Sequence, residues 1–383
     1  MPFGRANRKM IFVIDPGTTY IKGSMPQYST NGKIIREQEP SCVAIETLTD
    51  GKTKIKAVGS QAKEEVWEMH AKNVEVIWPI EEGVMVVPEI VAPLIANLCL
   101  KLYYANFRGG LFRAGYKAVK SAILRMEEEN PFFQQEIEVI VGVSPSSDAM
   151  YKSAVQTAAR DAFHQAADVK VYLVTHTIAA AIGSGLSVRT KEGNMILVLG
   201  GGTADVSVIA NYREINPKTK PYGGTVLDKA IQRGLKNSYG IQIPLYRAEA
   251  FKIAHGQAIS PNGEAQTIQY GGGAKPIEFS NEELFQYINP TLEKISNMCG
   301  HYTESIPSNI CRIRESVANN GLTVVGGPAL LKKLQDRLAA DLDITINIAK
   351  DPQEAGLVGL EILSERKDIL YEVAVNPYIH HTQ

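Results

Sequence analysis

Residues 195–209, Met-Ile-Leu-Val-Leu-Gly-Gly-Gly-Thr-Ala-Asp-Val-Ser-Val-Ile, constrain the fold more than any other stretch. The apolar runs 195–199 and 206–209 read as two buried strands joined in a hairpin. Between them, Gly200, Gly201 and Gly202 form a turn without Cβ atoms, so backbone N–H groups can approach a phosphate closely. Thr203 adds a hydroxyl donor. Taken alone, a glycine triplet is more simply a bare hairpin turn. A second turn of this kind upstream and a third downstream weigh the other way.

The upstream turn follows an apolar strand at 9–14. Asp15-Pro16-Gly17-Thr18-Thr19 then leads into a second strand at 20–24. A strand-end aspartate can hold a Mg²⁺-bound water. Gly17, Thr18 and Thr19 can wrap phosphate oxygens, and Lys22 can return from the second strand to meet phosphate charge. A surface hairpin with a solvated lysine fits the same residues. The downstream turn lies in 321–331, where strand, Gly326-Gly327 and helix follow one another.

The length of 383 residues allows two or three domains with sizeable cores. Composition is that of an ordinary globular chain, with 44% apolar and 21% charged residues. A net charge of −1 gives no overall attraction to nucleic acid. Cys42, Cys99, Cys299 and Cys311 lack metal-ligand spacing and read as buried or free thiols of a reducing compartment. Arg5, Arg8 and Lys9 precede no apolar run of signal-peptide length. The longest candidate membrane span, 84–100, is broken by Pro88, Glu89 and Pro93. A cytoplasmic chain is expected, with any membrane contact peripheral.

The remaining segments place the turns. A short strand is expected at 39–45, a polar helix after 57–63 and a long helix over 88–104. Residues 138–143 read as a buried strand, followed by a helix over 149–165 and a strand at 169–174. His176 then opens a small-residue helix; it suits proton transfer, or a plain capping or core role. Gly223-Gly224 precede a helix with an internal aspartate, Asp228. Glu249 and Lys252 share one face of a helix over 245–254, where a surface ion pair is the simpler reading. Gly271-Gly272-Gly273 reads as a loop. A helix is expected over 284–301, a strand within 340–349, a closing helix from 355 and an aperiodic tail over 369–383. His380-His381 is too short for a metal site.

Residues 107–126 stand apart. Phe107, Leu111, Phe112, Tyr116, Val119, Ile123 and Met126 are apolar, Arg108, Arg113, Lys117, Lys120 and Arg125 are basic, and no acid precedes Glu127. This pattern suits a helix lying on anionic lipid, or a helix packed on its own domain with a solvated basic face.

Strand–turn–strand occurring twice, with a later glycine turn, resembles the actin, sugar-kinase and heat-shock chaperone superfamily. The Asp15 turn resembles its phosphate-1 motif, 200–207 its phosphate-2 motif and Gly326-Gly327 its adenosine motif. Residues 39–45, 78–84, 142–146, 179–186, 223–230, 248–256 and 351–359 resemble the bacterial actins of MreB and MamK type, collinearly over about 10–363.

The resemblance implies an α/β, actin-like fold: two domains, each with a mixed β-sheet flanked by helices, and a nucleotide cleft between them. Domain I would be 1–188 with 351–383, carrying a small lobe at about 39–76 and the basic segment 107–126. Domain II would be 189–350, with an inserted subdomain at about 223–287. ATP or ADP with Mg²⁺ would meet Asp15, Gly17, Thr18, Thr19 and Lys22 on one side, with Asp15 holding the metal through water. Gly200, Gly201, Gly202 and Thr203 would close the other side, Glu249 and Lys252 would flank ribose and adenine, and Gly326 and Gly327 would back the purine. Monomers would stack into filaments. The family's membrane-contacting loop falls where the basic segment lies.

Two departures bear on hydrolysis. Val198 stands where the superfamily carries an aspartate that orients Mg²⁺ and water. His176 stands where bacterial actins carry a water-positioning glutamate, although a neutral imidazole can still accept a water proton. Either change costs roughly 10²–10³-fold by analogy with other single catalytic groups. Pro328 replaces the usual third glycine of the adenosine turn. The expected function is therefore a nucleotide-binding filament protein with weak or altered ATP hydrolysis. The alternative is a non-hydrolysing adaptor docking partners at the membrane. A sugar or acid kinase is disfavoured because Val198 and His176 leave no carboxylate base at the matched sites. A peptide-binding chaperone is disfavoured because no substrate domain follows 363.

Overall fold

In a computed structural model of the chain, the described residues are 9–30, 33–63, 73–81, 83–85, 88–107, 130–261, 267–270, 277–306 and 311–376. The chain divides into two compact units, Met1–Ala179 with Gly356–Gln383, and Ala180–Ala355.

The first unit opens with β1 (Met10–Pro16), β2 (Tyr20–Thr30) and β3 (Lys33–Pro40), an antiparallel meander. β4 (Val43–Thr47), β5 (Thr53–Val58) and β6 (Val74–Ile77) form a separate small sheet in the order β5-β4-β6. A short ladder of β7 (Ile80–Glu81) and β8 (Val84–Met85) precedes α1 (Pro88–Phe107). Then come β9 (Glu136–Val143), α2 (Ala149–Asp161), β10 (Asp168–Thr175) and α3 (His176–Gly183). The main sheet runs β10-β9-β1-β2-β3, with β9 and β10 parallel to β1. β9 is buried along nearly its whole length, as a central strand covered on both faces must be. Val91, Leu94, Ile95, Leu98 and Leu102 of α1 recur at helical spacing and are fully buried in this core.

The second unit repeats the plan. β11 (Asn194–Leu199), β12 (Ala204–Ala210) and β13 (Arg213–Lys220) form the meander. α4 (Gly224–Tyr239), α5 (Leu245–His255), β14 (Thr267–Tyr270), β15 (Ile277–Ser280) and α6 (Asn281–Ser305) follow. α7 (Cys311–Asn320), β16 (Leu322–Val325), a 3₁₀ turn (Gly327–Leu330), α8 (Leu334–Leu342) and β17 (Ile346–Ile348) complete it. The sheet runs β13-β12-β11-β16-β17. Ser280 and Glu283 start α6 with a reciprocal capping box, satisfying two backbone donors that the first turn leaves orphaned. Two actin-like five-stranded sheets flanked by helices are therefore present, as the resemblance implies.

The chain closes with α9 (Ala355–Glu365) and α10 (Lys367–Val373). α10 replaces the aperiodic tail expected from 369. Its Ile369, Leu370 and Val373 are buried, and Lys367, together with Lys9, pairs with the fully buried Glu138 of β9. Beyond it, Val375 N donates to Leu173 O at 2.8 Å on the edge strand β10.

Other expectations shift in detail. The strand expected at 39–45 breaks at Ser41-Cys42. The helix expected over 149–165 ends at Asp161, and the glycine turn at 326–327 enters a 3₁₀ turn rather than an α-helix. α1 is, by length and composition, long and apolar enough to cross a membrane, which 84–100 was not expected to be, but its apolar stripe serves the core. Cys42, Cys99 and Cys299 are buried free thiols, and burial pushes Cys42 up to about 11 and Cys299 up to about 12. Most of the basic segment 107–126, from 108 onward, lies outside the described residues, as do Gly271-Gly272-Gly273 and His380-His381.

Candidate functional site

In the first unit, Asp15 ends β1 and stands directly across the ladder from Lys22 on β2, so the two side chains share one face. Asp15 Oδ1 lies 3.3 Å from His176 Nε2 at the start of α3. Burial pushes the Asp15 carboxyl upward, but the His176 hydrogen bond and charge and the Lys22 charge outweigh it, leaving the pKa below the usual 3.8. Gly142 of β9 makes room for the pair: a Cβ there would fall 2.8 Å from His176 and 3.2 Å from Asp15. A Cβ on Gly356, near the N-terminus of α9, would lie 3.4 Å from Asp15 Oδ2. The structure thus joins His176 to Asp15.

The turn after Asp15 is braced from outside. Gly17 N donates to Tyr20 O at 3.0 Å, and Ser41 supplies Oγ to Gly17 O at 2.6 Å and its N–H to Thr19 O at 3.0 Å. With these carbonyls occupied, the amides of Thr18 and Thr19 make no backbone hydrogen bond among the described residues. Successive N–H groups in a turn can bind an anion when they point to one side.

The second unit builds its turn differently. Gly200 N donates to Thr203 O at 2.8 Å, while the first amides of α4 reach into the turn: Gly223 N to Gly202 O at 3.2 Å, Gly224 N to Gly200 O at 2.9 Å and Thr225 N to Gly201 O at 2.8 Å. Gly223 is required, since a Cβ there would lie 2.5 Å from Gly201 O. The amides of Gly201, Gly202 and Thr203 make no backbone hydrogen bond among the described residues. The Thr203 hydroxyl, read from sequence as a phosphate donor, donates instead to Asp205 Oδ2 at 2.9 Å. Val198 lies directly across from Asp205.

Lys252 does not take Glu249 as its ion partner. Its Nζ lies 2.7 Å from Asp228 Oδ1 and donates to Gly224 O at 3.1 Å. Burial raises the Asp228 carboxyl to about 6, with Lys252 opposing and Glu249 adding to the rise. A Cβ on Gly224 would lie 3.3 Å from both Lys252 Nζ and Pro328 Cγ, so the Gly200-Gly201-Gly202 turn, α4, Lys252 and the Gly326-Gly327 turn converge. Gly326 has φ +97°, and a Cβ there would fall 1.9 Å from Leu199 O, so only glycine fits. A Cβ on Gly327 would lie 3.5 Å from Gln353 Nε2.

Sequence reasoning missed Gly142, Gly356, Ser41, Asp205 and Asp228 as site residues. The glycine inside an apolar strand and the aspartate inside an amphipathic helix were the available signals. Among the described residues no three His, Cys, Asp or Glu side chains cluster as a metal site. A Mg²⁺ held mainly by phosphates and water needs only one or two carboxylates, and ionised Asp15 fits that more modest role.

Comparison with known proteins gives a consistent result. Residues 112–372 match the MreB/Mbl protein family. The chain is 25% identical to the cell shape-determining protein MreB of Escherichia coli K12 over 350 residues, 88% of each chain. It is 24% identical to the cell shape-determining protein Mbl of Bacillus subtilis over 345 residues, 88% of this chain and 92% of that one. The structure of MreB 5 of Spiroplasma citri bound to AMPPNP superposes with TM-score 0.73 at 20% identity, covering 94% of this chain and 98% of that one. A MamK double helical filament superposes with TM-score 0.65 at 17% identity, covering 94% and 99%.

Proposed function

Because the chain belongs to the MreB/Mbl family, we propose that it is an actin-like cytoskeletal protein that binds ATP or ADP with Mg²⁺ and assembles copies of itself into filaments. The observation that supports binding most directly is the pair of glycine-bearing turns whose carbonyls are tied off and whose amides are left for an anion. The phosphates would engage Lys22 and the amides of Thr18 and Thr19 from one turn and the amides of Gly201, Gly202 and Thr203 from the other, with Gly17 and Gly200 shaping the two turns. Asp15 would hold Mg²⁺ through water, and the ion would neutralise phosphate charge. Glu249, Lys252, Gly326 and Gly327 would take the nucleoside. Solved relatives bound to AMPPNP and to ADP support the nucleotide, and the MamK filament supports self-assembly. Hydrolysis would be weak or altered, since Val198 supplies no carboxylate and a histidine, His176 beside Asp15, stands in place of the water-positioning glutamate.

The test is ADP and ATP binding by calorimetry, followed by pelleting and electron microscopy with each nucleotide. Micromolar binding with ATP-dependent filaments is the expected result. A chain that binds neither nucleotide, or stays monomeric at tens of micromolar with both, overturns the reading. The second reading, a non-hydrolysing actin-like adaptor that docks partners at the membrane, is favoured by the basic composition of 107–126. Anionic-liposome co-sedimentation that depends on that segment, without filaments, would select it.

A further inference from the structure

The register of the β11–β12 hairpin pairs Val198 with Asp205 and Leu199 with Ala204. Directly opposed residues of an antiparallel pair share a face. Leu197, Leu199, Ala204 and Val206 belong to the apolar core, so Val198 and Asp205 share the opposite face. A carboxylate is therefore present across the ladder from the position where the superfamily's aspartate is lacking. It is 1% exposed and meets no solvent. Its oxygens accept from two hydroxyls, Thr203 Oγ1 at 2.9 Å and Thr219 Oγ1 at 2.5 Å, and Thr219 stands opposite it on β13. Such a group acts through what it holds.

What it holds is the only proton of the Thr203 hydroxyl. A hydroxyl has one donor and two acceptor lone pairs, and a bond to a carboxylate is stronger than one to a neutral acceptor. With that proton directed to Asp205, Thr203 Oγ1 can only accept. Phosphate oxygens at neutral pH offer it little to accept, whereas a water does. The hydroxyl follows the three glycines immediately, so a water on it lies at the end of the phosphate turn.

Building on the nucleotide reading above, we propose that Asp205 is a positioning residue for hydrolysis of a bound nucleoside triphosphate. By fixing Thr203 Oγ1 as an acceptor, it orients the attacking water. The water oxygen forms a bond to the terminal phosphorus while the bond from that phosphorus to the bridging oxygen breaks. The bridging oxygen keeps the electron pair on the diphosphate; one water proton stays on the released phosphate and the other passes to solvent. The activity that remains despite Val198 runs through this pair.

The test is phosphate release at fixed protein concentration, with ADP affinity and melting temperature measured in parallel. Asp205→Asn keeps the shape, but its amide can donate to Thr203 and free the hydroxyl proton. It is expected to lower kcat roughly 10- to 100-fold, the cost of a misplaced reactant, while ADP affinity stays within about threefold. Thr203→Val is expected to lose as much and Thr203→Ser to retain the rate. Asp205→Asn in the Thr203→Val background is expected to add nothing, because one residue acts through the other. If Asp205→Asn does not fold, Thr219→Val, which removes the second hydroxyl steadying the carboxylate, is expected to show the same kcat-only loss at smaller size. Losses that multiply, a fall in ADP affinity matching the fall in kcat, or an unchanged Thr219→Val overturn the role of Asp205. Wild-type protein that binds ATP but releases no phosphate overturns this inference alone, whereas protein that binds neither nucleotide overturns the nucleotide reading as well.

Discussion

The turn between β1 and β2 and the turn between β11 and β12 both occupy their carbonyls and leave amides over, but with different partners. In the first unit a single residue does it, Ser41, through its hydroxyl and its N–H. In the second, three consecutive amides at the start of α4 do it. A serine on a short link between strands is a replaceable brace. A helix N-terminus is a stiff one, and the amides it spends on the turn are no longer anion donors themselves. The carboxylates diverge in the same way. Asp15 is about one-quarter exposed and sits with His176 and Lys22, suited to a hydrated cation. Asp205 is buried between hydroxyls, suited to orienting a neighbour.

The sharpest way to break this comparison is to force a side chain into each turn. At Gly223 a Cβ would meet three backbone atoms at 2.5–2.6 Å; at Gly17 it would meet one, Tyr20 O, at 2.8 Å. Gly223→Ala should cost about 3 kcal/mol or more, as overpacking against backbone does, and abolish ADP binding. Gly17→Ala should cost about 1–2 kcal/mol and leave weakened binding. Urea unfolding and ADP calorimetry on both variants check this, and an equal or reversed order would mean that the helix is not the stiffer brace.

Asp15 and Asp228 sharpen the comparison through pH. The Asp228 carboxyl rises from 3.8 to about 6 on folding. The folded chain therefore binds this proton more tightly than the unfolded chain, so stability is fully present below 3.8 and is lost as pH rises through about 6. Asp15 moves below 3.8, so its contribution is present above that value and lost as pH falls through its folded pKa. The unfolding free energy of wild type minus Asp228→Asn should fall by about 2–3 kcal/mol between about pH 4 and pH 7. Wild type minus Asp15→Asn should change in the opposite sense, below about pH 4. Denaturation at stepped pH measures both slopes; a flat Asp228 profile would show that Lys252 fully compensates burial.

Which parts of this were legible in the sequence follows from how local each signal is. Asp15, Gly17 and the glycine triplet announce themselves because strand periodicity and a missing Cβ act over a few residues. The Lys252–Asp228 pair is carried by two different helices, and spacing along α5 pointed to Glu249 instead. Gly142 makes sense only once Asp15 and His176 are brought beside it by β1 and α3. α10 is seven residues long, too short for a periodic pattern, and owes its place to Glu138 and the edge of β10. The role of Thr203 changed because the acceptor of its proton, Asp205, is set by hairpin register, and the glycine pattern does not encode that choice.

The smallest expected effect tests the brace itself. Ser41→Ala removes one donor, the hydroxyl on Gly17 O at 2.6 Å, and keeps the other, the N–H on Thr19 O at 3.0 Å. Ser41 is fully buried, so no bulk water readily replaces the lost bond, and the cost should be about 1 kcal/mol. With Thr19 still held, the amide of Thr19 should keep its direction while that of Thr18, next to the released Gly17 carbonyl, loosens. ADP affinity should fall only a few-fold, with a matching rise in hydrogen exchange confined to 17–18. Exchange spreading through 17–20 would mean that the hydroxyl alone carries the brace. Unchanged exchange would mean that the Gly17 to Tyr20 bond suffices, and the first turn would then resemble the second in being held by backbone alone.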